Sequence, residues 1–134
     1  MALNEALVRA TVAHLRDTNT LWAQDQFGMS SECGTSACFG GWAMILSGQY
    51  KVRGFEDWTD LKGREICGTA LHGCARDVLG LTEDEAQEIF YFFPYDQMDS
   101  EGFDYENIPE SEWRERALEL MVARVAEVTG VKDL

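Results

Sequence analysis

The hydrophobic positions over residues 4–16 recur at helical spacing: Leu7, Val8, Val12 and Leu15 fall on one face, and Asn4 stands where a side-chain oxygen caps a helix start. The pattern predicts an amphipathic helix. Asp17-Thr18-Asn19-Thr20 ends it, and Leu21, Trp22 and Phe27 predict a short connector held down by large apolar side chains. A second helix is expected from a cap at Thr35 or Ser36 to Ser47, with Gly48 placed where a left-handed residue closes a helix. Tyr50, Val52 and Phe55 then alternate loosely, which predicts a short strand or hairpin over 49–60.

Helical periodicity returns over 64–79 and stops at Gly80. Beyond Leu81, Thr82-Glu83-Asp84-Glu85 has the spacing of a capping box, in which the Thr hydroxyl and the second Glu carboxylate each satisfy a free backbone amide at a helix start. That helix is expected to run through Ala86, Ile89 and Phe90 toward Pro94, which cannot continue it and restricts Phe93 before it. Residues 95–107 read as an acidic, aromatic loop. Pro109 or Ser111 then opens a last helix, with Trp113, Ala117, Leu120, Met121, Val125 and Val128 in one apolar stripe that Gly130 ends. The expected fold is mainly α: a compact single domain over 1–134, of about five helices, with at most a short β-hairpin near residues 49–60.

Composition leaves that picture in place and narrows function. A chain of 134 residues, 46% hydrophobic and with four Trp, can bury one real core without covalent staples. No apolar run approaches the roughly 20 residues that a membrane helix needs. The opening Met1-Ala2-Leu3-Asn4-Glu5 lacks the basic and apolar regions of a secretory signal, so a cytoplasmic location is expected. The net charge of -13 is unevenly placed: between Arg76 and Arg114 there is no Lys or Arg, while twelve Asp or Glu residues fall there. Such a stretch repels a phosphate backbone, which argues against direct nucleic-acid binding.

The cysteines carry the chemistry that remains open. Cys33-Gly34-Thr35-Ser36-Ala37-Cys38 reads as a tight turn opening a helix, and Gly40-Gly41 remove side chains so that another element can approach. Cys33 and Cys38 are then small buried hydrophobes. Three other readings compete. A structural zinc would be held by Cys33, Cys38, Cys67 and either His72 or Cys74, although the spacings differ from the two to four intervening residues that such sites favour. Cys33 and Cys38 could pair in a disulfide in an oxidising setting. A thiol-dependent hydrolase would use Cys38 at a helix start as nucleophile, with His72 or His14 as base. Cys67-Gly68-Thr69 echoes Cys33-Gly34-Thr35, with unequal spacing to the next cysteine. No phosphate loop, dinucleotide fingerprint, serine elbow or EF-hand register is present in the sequence.

Residues 33–43, written CGTSACFGGWA, resemble a CGTxxCxxGWA motif of small uncharacterised proteins from actinobacteria and their phages. Residues 78–86, VLGLTEDEA, are similar to the second block of those proteins, in which a Leu-Gly-Leu turn joins two helices. The resemblance implies a short helical protein, often phage-encoded, with no assigned reaction.

The acidic stretch also carries Phe90, Tyr91, Phe92, Phe93, Tyr95, Phe103 and Tyr105. Acids around aromatic anchors suit a basic protein partner, because aromatic rings supply contact energy and charges steer the approach. The function expected from the sequence is therefore a small acidic, non-enzymatic binding protein. It would engage a basic surface of a host protein through Tyr91, Tyr95, Asp99, Glu101, Asp104 and Glu106, as an inhibitor or nucleic-acid mimic, without a cofactor. The cysteine cluster, with zinc or as a thiol enzyme, is the alternative.

Overall fold

The computed structural model describes residues 2–25, 27–31 and 34–134. Six helices lie among them: α1 (Glu5–Arg16), α2 (Phe39–Leu46), α3 (Leu71–Leu79), α4 (Glu83–Phe90), α5 (Pro94–Ser100) and α6 (Glu110–Thr129). Six strands accompany them: β1 (Leu21–Trp22), β2 (Met29–Ser31), β3 (Gly34–Ala37), β4 (Tyr50–Phe55), β5 (Asp57–Asp60) and β6 (Glu65–Ile66). The strands form one sheet in the order β1-β3-β2-β4-β5-β6. It is mixed: β1 runs parallel to β3, and the other neighbouring pairs are antiparallel. The protein is thus an α/β fold, and the expectation of a mainly α domain of about five helices with at most a short hairpin is overturned.

The strands that escaped the sequence pattern are two to four residues long, too short to show alternation, and β1 and β2 also pair across longer stretches of chain. Leu21 pairs with Ser36, and Trp22 with Ala37. The segment 34–37, expected to cap and begin a helix, is instead the strand between β1 and β2. Helix α2 starts only at Phe39, where the Cys38 sulfur accepts the Gly41 N–H at 3.3 Å and so performs the capping assigned to Thr35 or Ser36. Residues 64–79 divide similarly into β6, a 3-10 turn at Gly68–Ala70 and α3. The expected loop over 95–107 begins as helix α5, because Pro94 occupies the first helical position, where a missing N–H costs nothing and a fixed φ helps.

Local signals hold elsewhere. The Asn4 side chain accepts the Leu7 N–H at 3.1 Å, and α1 buries Leu7, Val8, Thr11, Val12 and Leu15. Both bonds of the Thr82–Glu85 capping box are present. Gly80 and Gly130 close α3 and α6 at positive φ. β4 and β5 make the hairpin expected near 49–60.

The core joins Val12 and Leu15 of α1, Phe39 and Met44 of α2, Trp58 of β5, Leu79 of α3, Ile89 of α4 and Met121 of α6. Trp58 is fully buried, and a Cβ on Gly28 would sit 2.6 Å from its ring, so Gly28 makes room for the indole. A Cβ on Gly41 would overlap the Phe27 carbonyl, which is the close approach that the Gly-Gly pair implies. No helix among the described residues is long and apolar enough to cross a membrane.

Candidate functional site

Placement at a helix start does not make Cys38 a nucleophile. It is 2% exposed, and burial pushes its thiol up to about 12 even though the Gly41 and Gly40 amides pull the other way. Loss of water outweighs the helix end, so the sulfur stays protonated near neutrality and serves packing and capping. His72 is engaged elsewhere: its Nε2 lies 2.8 Å from Glu83 Oε1, and its ring stacks on Tyr91 at 5.7 Å. Its buried Nδ1 has no hydrogen-bond partner among the described residues. His14 packs against Trp42, with ring centroids 4.5 Å apart.

Among the described residues, Cys67 and Cys74 do not assemble with Cys38 into a metal-holding group. Cys67 is exposed beside Thr69, Cys74 is half-buried on α3, and all three are free thiols. Among the described residues no three His, Cys, Asp or Glu side chains converge on a point that would hold a metal ion. Cys33, a member of both the zinc and the disulfide readings, lies outside the described residues.

The acidic, aromatic surface is divided more finely than the sequence suggests. Tyr91 belongs to the cluster of His72, Arg76 and Glu83, which ties α3 to α4 through an Arg76–Glu83 bond of 2.6 Å. The Tyr105 hydroxyl donates to the Tyr95 carbonyl at 3.5 Å, and the Asp99 carboxylate near it pushes that hydroxyl up to about 12. Glu101 pairs with Gln97 at 3.0 Å and with Arg116 at 3.3 Å, and Asp104 accepts from the Asn107 side chain at 2.6 Å. Glu101 and Asp104 are therefore partly spent on holding this segment together. Glu106 is exposed.

Tyr95, 41% exposed, stands at the centre of the concave surface. On one side of it a groove of about 950 Å³ is lined by Arg16, Thr18, Trp22, Glu110, Ser111, Trp113, Arg114, Glu115 and Leu118. On the other a smaller pocket of about 340 Å³ is lined by Trp22, Ala23, Gln24, Asp25, Phe93, Pro94 and Asp96. Trp22 and Tyr95 line both.

The groove's cations are held by backbone. Arg114 Nη2 donates to the carbonyl of Leu15 in the last turn of α1 at 2.9 Å, where helix carbonyls lack an intrahelical partner, and to those of Asp17 at 3.3 Å and Thr20 at 3.1 Å just beyond it. Arg16 donates to the Leu134 carbonyl at 2.8 Å. The carboxylates Asp25, Asp96, Glu110 and Glu115 have no ion-pair partner among the described residues.

Gln24 builds the junction. Its Oε1 accepts the Trp22 indole N–H and the Phe39 amide, each at 3.0 Å, and its Nε2 donates to the Ile89 carbonyl at 3.2 Å. One side chain thereby locks β1, the start of α2 and the end of α4 around Trp22. Trp22, Trp113, Asp25 and Gln24 were not singled out from sequence as site residues. Trp22 and Trp113 read there as connector and core stripe, and only the doublet Trp22–Gln24 beside an acid could have signalled otherwise.

Compared with known proteins, the chain matches no family model, no curated protein and no solved structure.

Proposed function

We propose that the chain is a non-enzymatic binding protein that engages a basic surface of a protein partner, centred on Tyr95. The observation that carries this reading is the pair of adjoining depressions walled by Trp22, Tyr95 and Trp113, with four carboxylates that have no ion-pair partner among the described residues and two arginines committed to backbone carbonyls. Aromatic side chains supply large contact area at low entropic cost, while unpaired carboxylates steer a basic partner and discriminate against an acidic one. Tyr91, Asp99, Glu101, Asp104 and Glu106 then form the outer part of the surface. The resemblance of residues 33–43 and 78–86 to small proteins of actinobacteria and their phages makes a bacterial protein the partner to seek, with inhibition or nucleic-acid mimicry as the effect.

The test is capture from host lysate, followed by a Kd measurement on each purified protein recovered, for the natural chain and for a Glu110→Lys/Glu115→Lys variant. The expected result is binding weakened at least tenfold by charge reversal and by raising salt from 50 to 500 mM. A partner whose affinity is indifferent to both would remove this surface from the assignment.

A further inference from the structure

The smaller pocket differs in character from the groove beside it. Its side chains include three aromatic rings, Trp22, Phe93 and Tyr95, two carboxylates, Asp25 and Asp96, and no cation. Its volume of about 340 Å³ is at the lower end of the roughly 300–1,000 Å³ typical of pockets that enclose a small group. Both aspartates are exposed, and neither has an ion pair among the described residues. The floor is fixed: Pro94 is buried at the start of α5, and the polar edge of Trp22 is satisfied by Gln24, which is itself bonded to α2 and α4.

From this lining we infer that the pocket receives an arginine side chain of the basic partner, an inference that rests on the binding function proposed above. A planar guanidinium stacks on aromatic faces and still presents five donors around its edge, enough to reach carboxylates on two different segments at once. An ammonium is a compact, strongly hydrated point charge and gains less from flat aromatic walls. A neutral isostere keeps the shape but forfeits the charge on which Asp25 and Asp96 act. The groove beyond Tyr95, with Glu110 and Glu115, then follows the chain that carries this arginine.

The experiment titrates the isotopically labelled protein with three capped tripeptides, acetyl-Gly-Arg-Gly-amide and its lysine and citrulline counterparts, following the indole N–H signal of Trp22. The arginine peptide is expected to give a saturable shift at millimolar concentration. The citrulline peptide should bind at least tenfold more weakly and the lysine peptide several-fold more weakly. Asp25→Asn and Asp96→Asn, which keep the pocket's shape, should each weaken the arginine peptide about fivefold while the remainder of the spectrum stays unchanged.

Equal shifts from arginine and citrulline, or an Asp25→Asn/Asp96→Asn protein that binds undiminished, would overturn the inference, and a lysine peptide that binds as well as arginine would overturn the choice of arginine. A parallel titration with a ten-residue Arg/Lys peptide separates this from the broader reading. If that peptide binds, is lost in Glu110→Lys/Glu115→Lys and is unaffected by the two aspartate changes, the basic-partner function stands and the arginine pocket falls. If it does not bind at all, the function itself falls.

Discussion

The same thiol group meets opposite environments at Cys38 and Cys67. At Cys38 removal from water dominates and raises the thiol to about 12, whereas at exposed Cys67 the Thr69 hydroxyl and backbone stabilise the thiolate and lower its titration. The thiolate is the nucleophile, so reactivity follows both access and this balance. At pH 7.5, iodoacetamide with peptide mapping should therefore alkylate Cys67 faster than a free thiol. Cys38 should stay unmodified until denaturant is added. Alkylation of Cys38 in the folded chain at the rate of Cys67 would contradict its burial and reopen nucleophilic chemistry there. Of Cys38 and Cys67, the more reactive sulfur is then the one outside the residue 33–43 motif.

At the scale of elements, two glycines separate crowding from backbone strain. Gly41 has no room for a Cβ against the Phe27 carbonyl, while Gly48 has open space but sits at φ +75°. Alanine at Gly48 should cost about 1 kcal/mol, the penalty of a left-handed residue. Alanine at Gly41 should cost about 3 kcal/mol, because the segment carrying Phe27 must move off α2. Urea unfolding of both variants checks this, and equal losses would mean that α2 and that segment are not in contact. Signals confined to one stretch of chain were legible in the sequence: the Asn4 cap, the Thr82–Glu85 box, the stops at Gly80 and Gly130. The sheet was not, because β1 and β6 have two residues each and acquire strand geometry only from their partners. Pro94 misled for a related reason, since the same ring that ends one helix is well suited to begin the next. The candidate site was half legible. Tyr95 and the acids around it lie in one segment, but Trp22 and Asp25 join them from about 70 positions away, through a Gln24 whose role appears only in three dimensions.

For the whole molecule, charge acts twice, once on the partner and once on stability. Asp60, Glu83, Glu101 and Asp104 are all held below the ordinary carboxylate range, chiefly by the Arg64 amide, the Arg76 guanidinium, the Gln97 side chain and the Asn107 side chain respectively. A carboxylate whose folded titration is depressed stabilises the fold above its unfolded value, roughly pH 4, and loses that contribution as pH falls through the lower folded value. The net charge of -13 works in the opposite sense, since acid relieves self-repulsion. Thermal melts from pH 8 downward should therefore show the melting temperature holding or rising at first and then falling below about pH 4 as the four lowered groups are protonated. Added salt should flatten the first part, where repulsion between solvated charges dominates, more than the second, where local hydrogen bonds dominate. Glu101→Gln should lower the melting temperature at pH 7 and shrink the acid limb, because the amide lacks the charge-assisted bond to Arg116 and has no proton to take up. A variant that melts lower at every pH by the same amount would show that Glu101 contributes packing and not a titrating ion pair, and would return its carboxylate to the surface available for a basic partner.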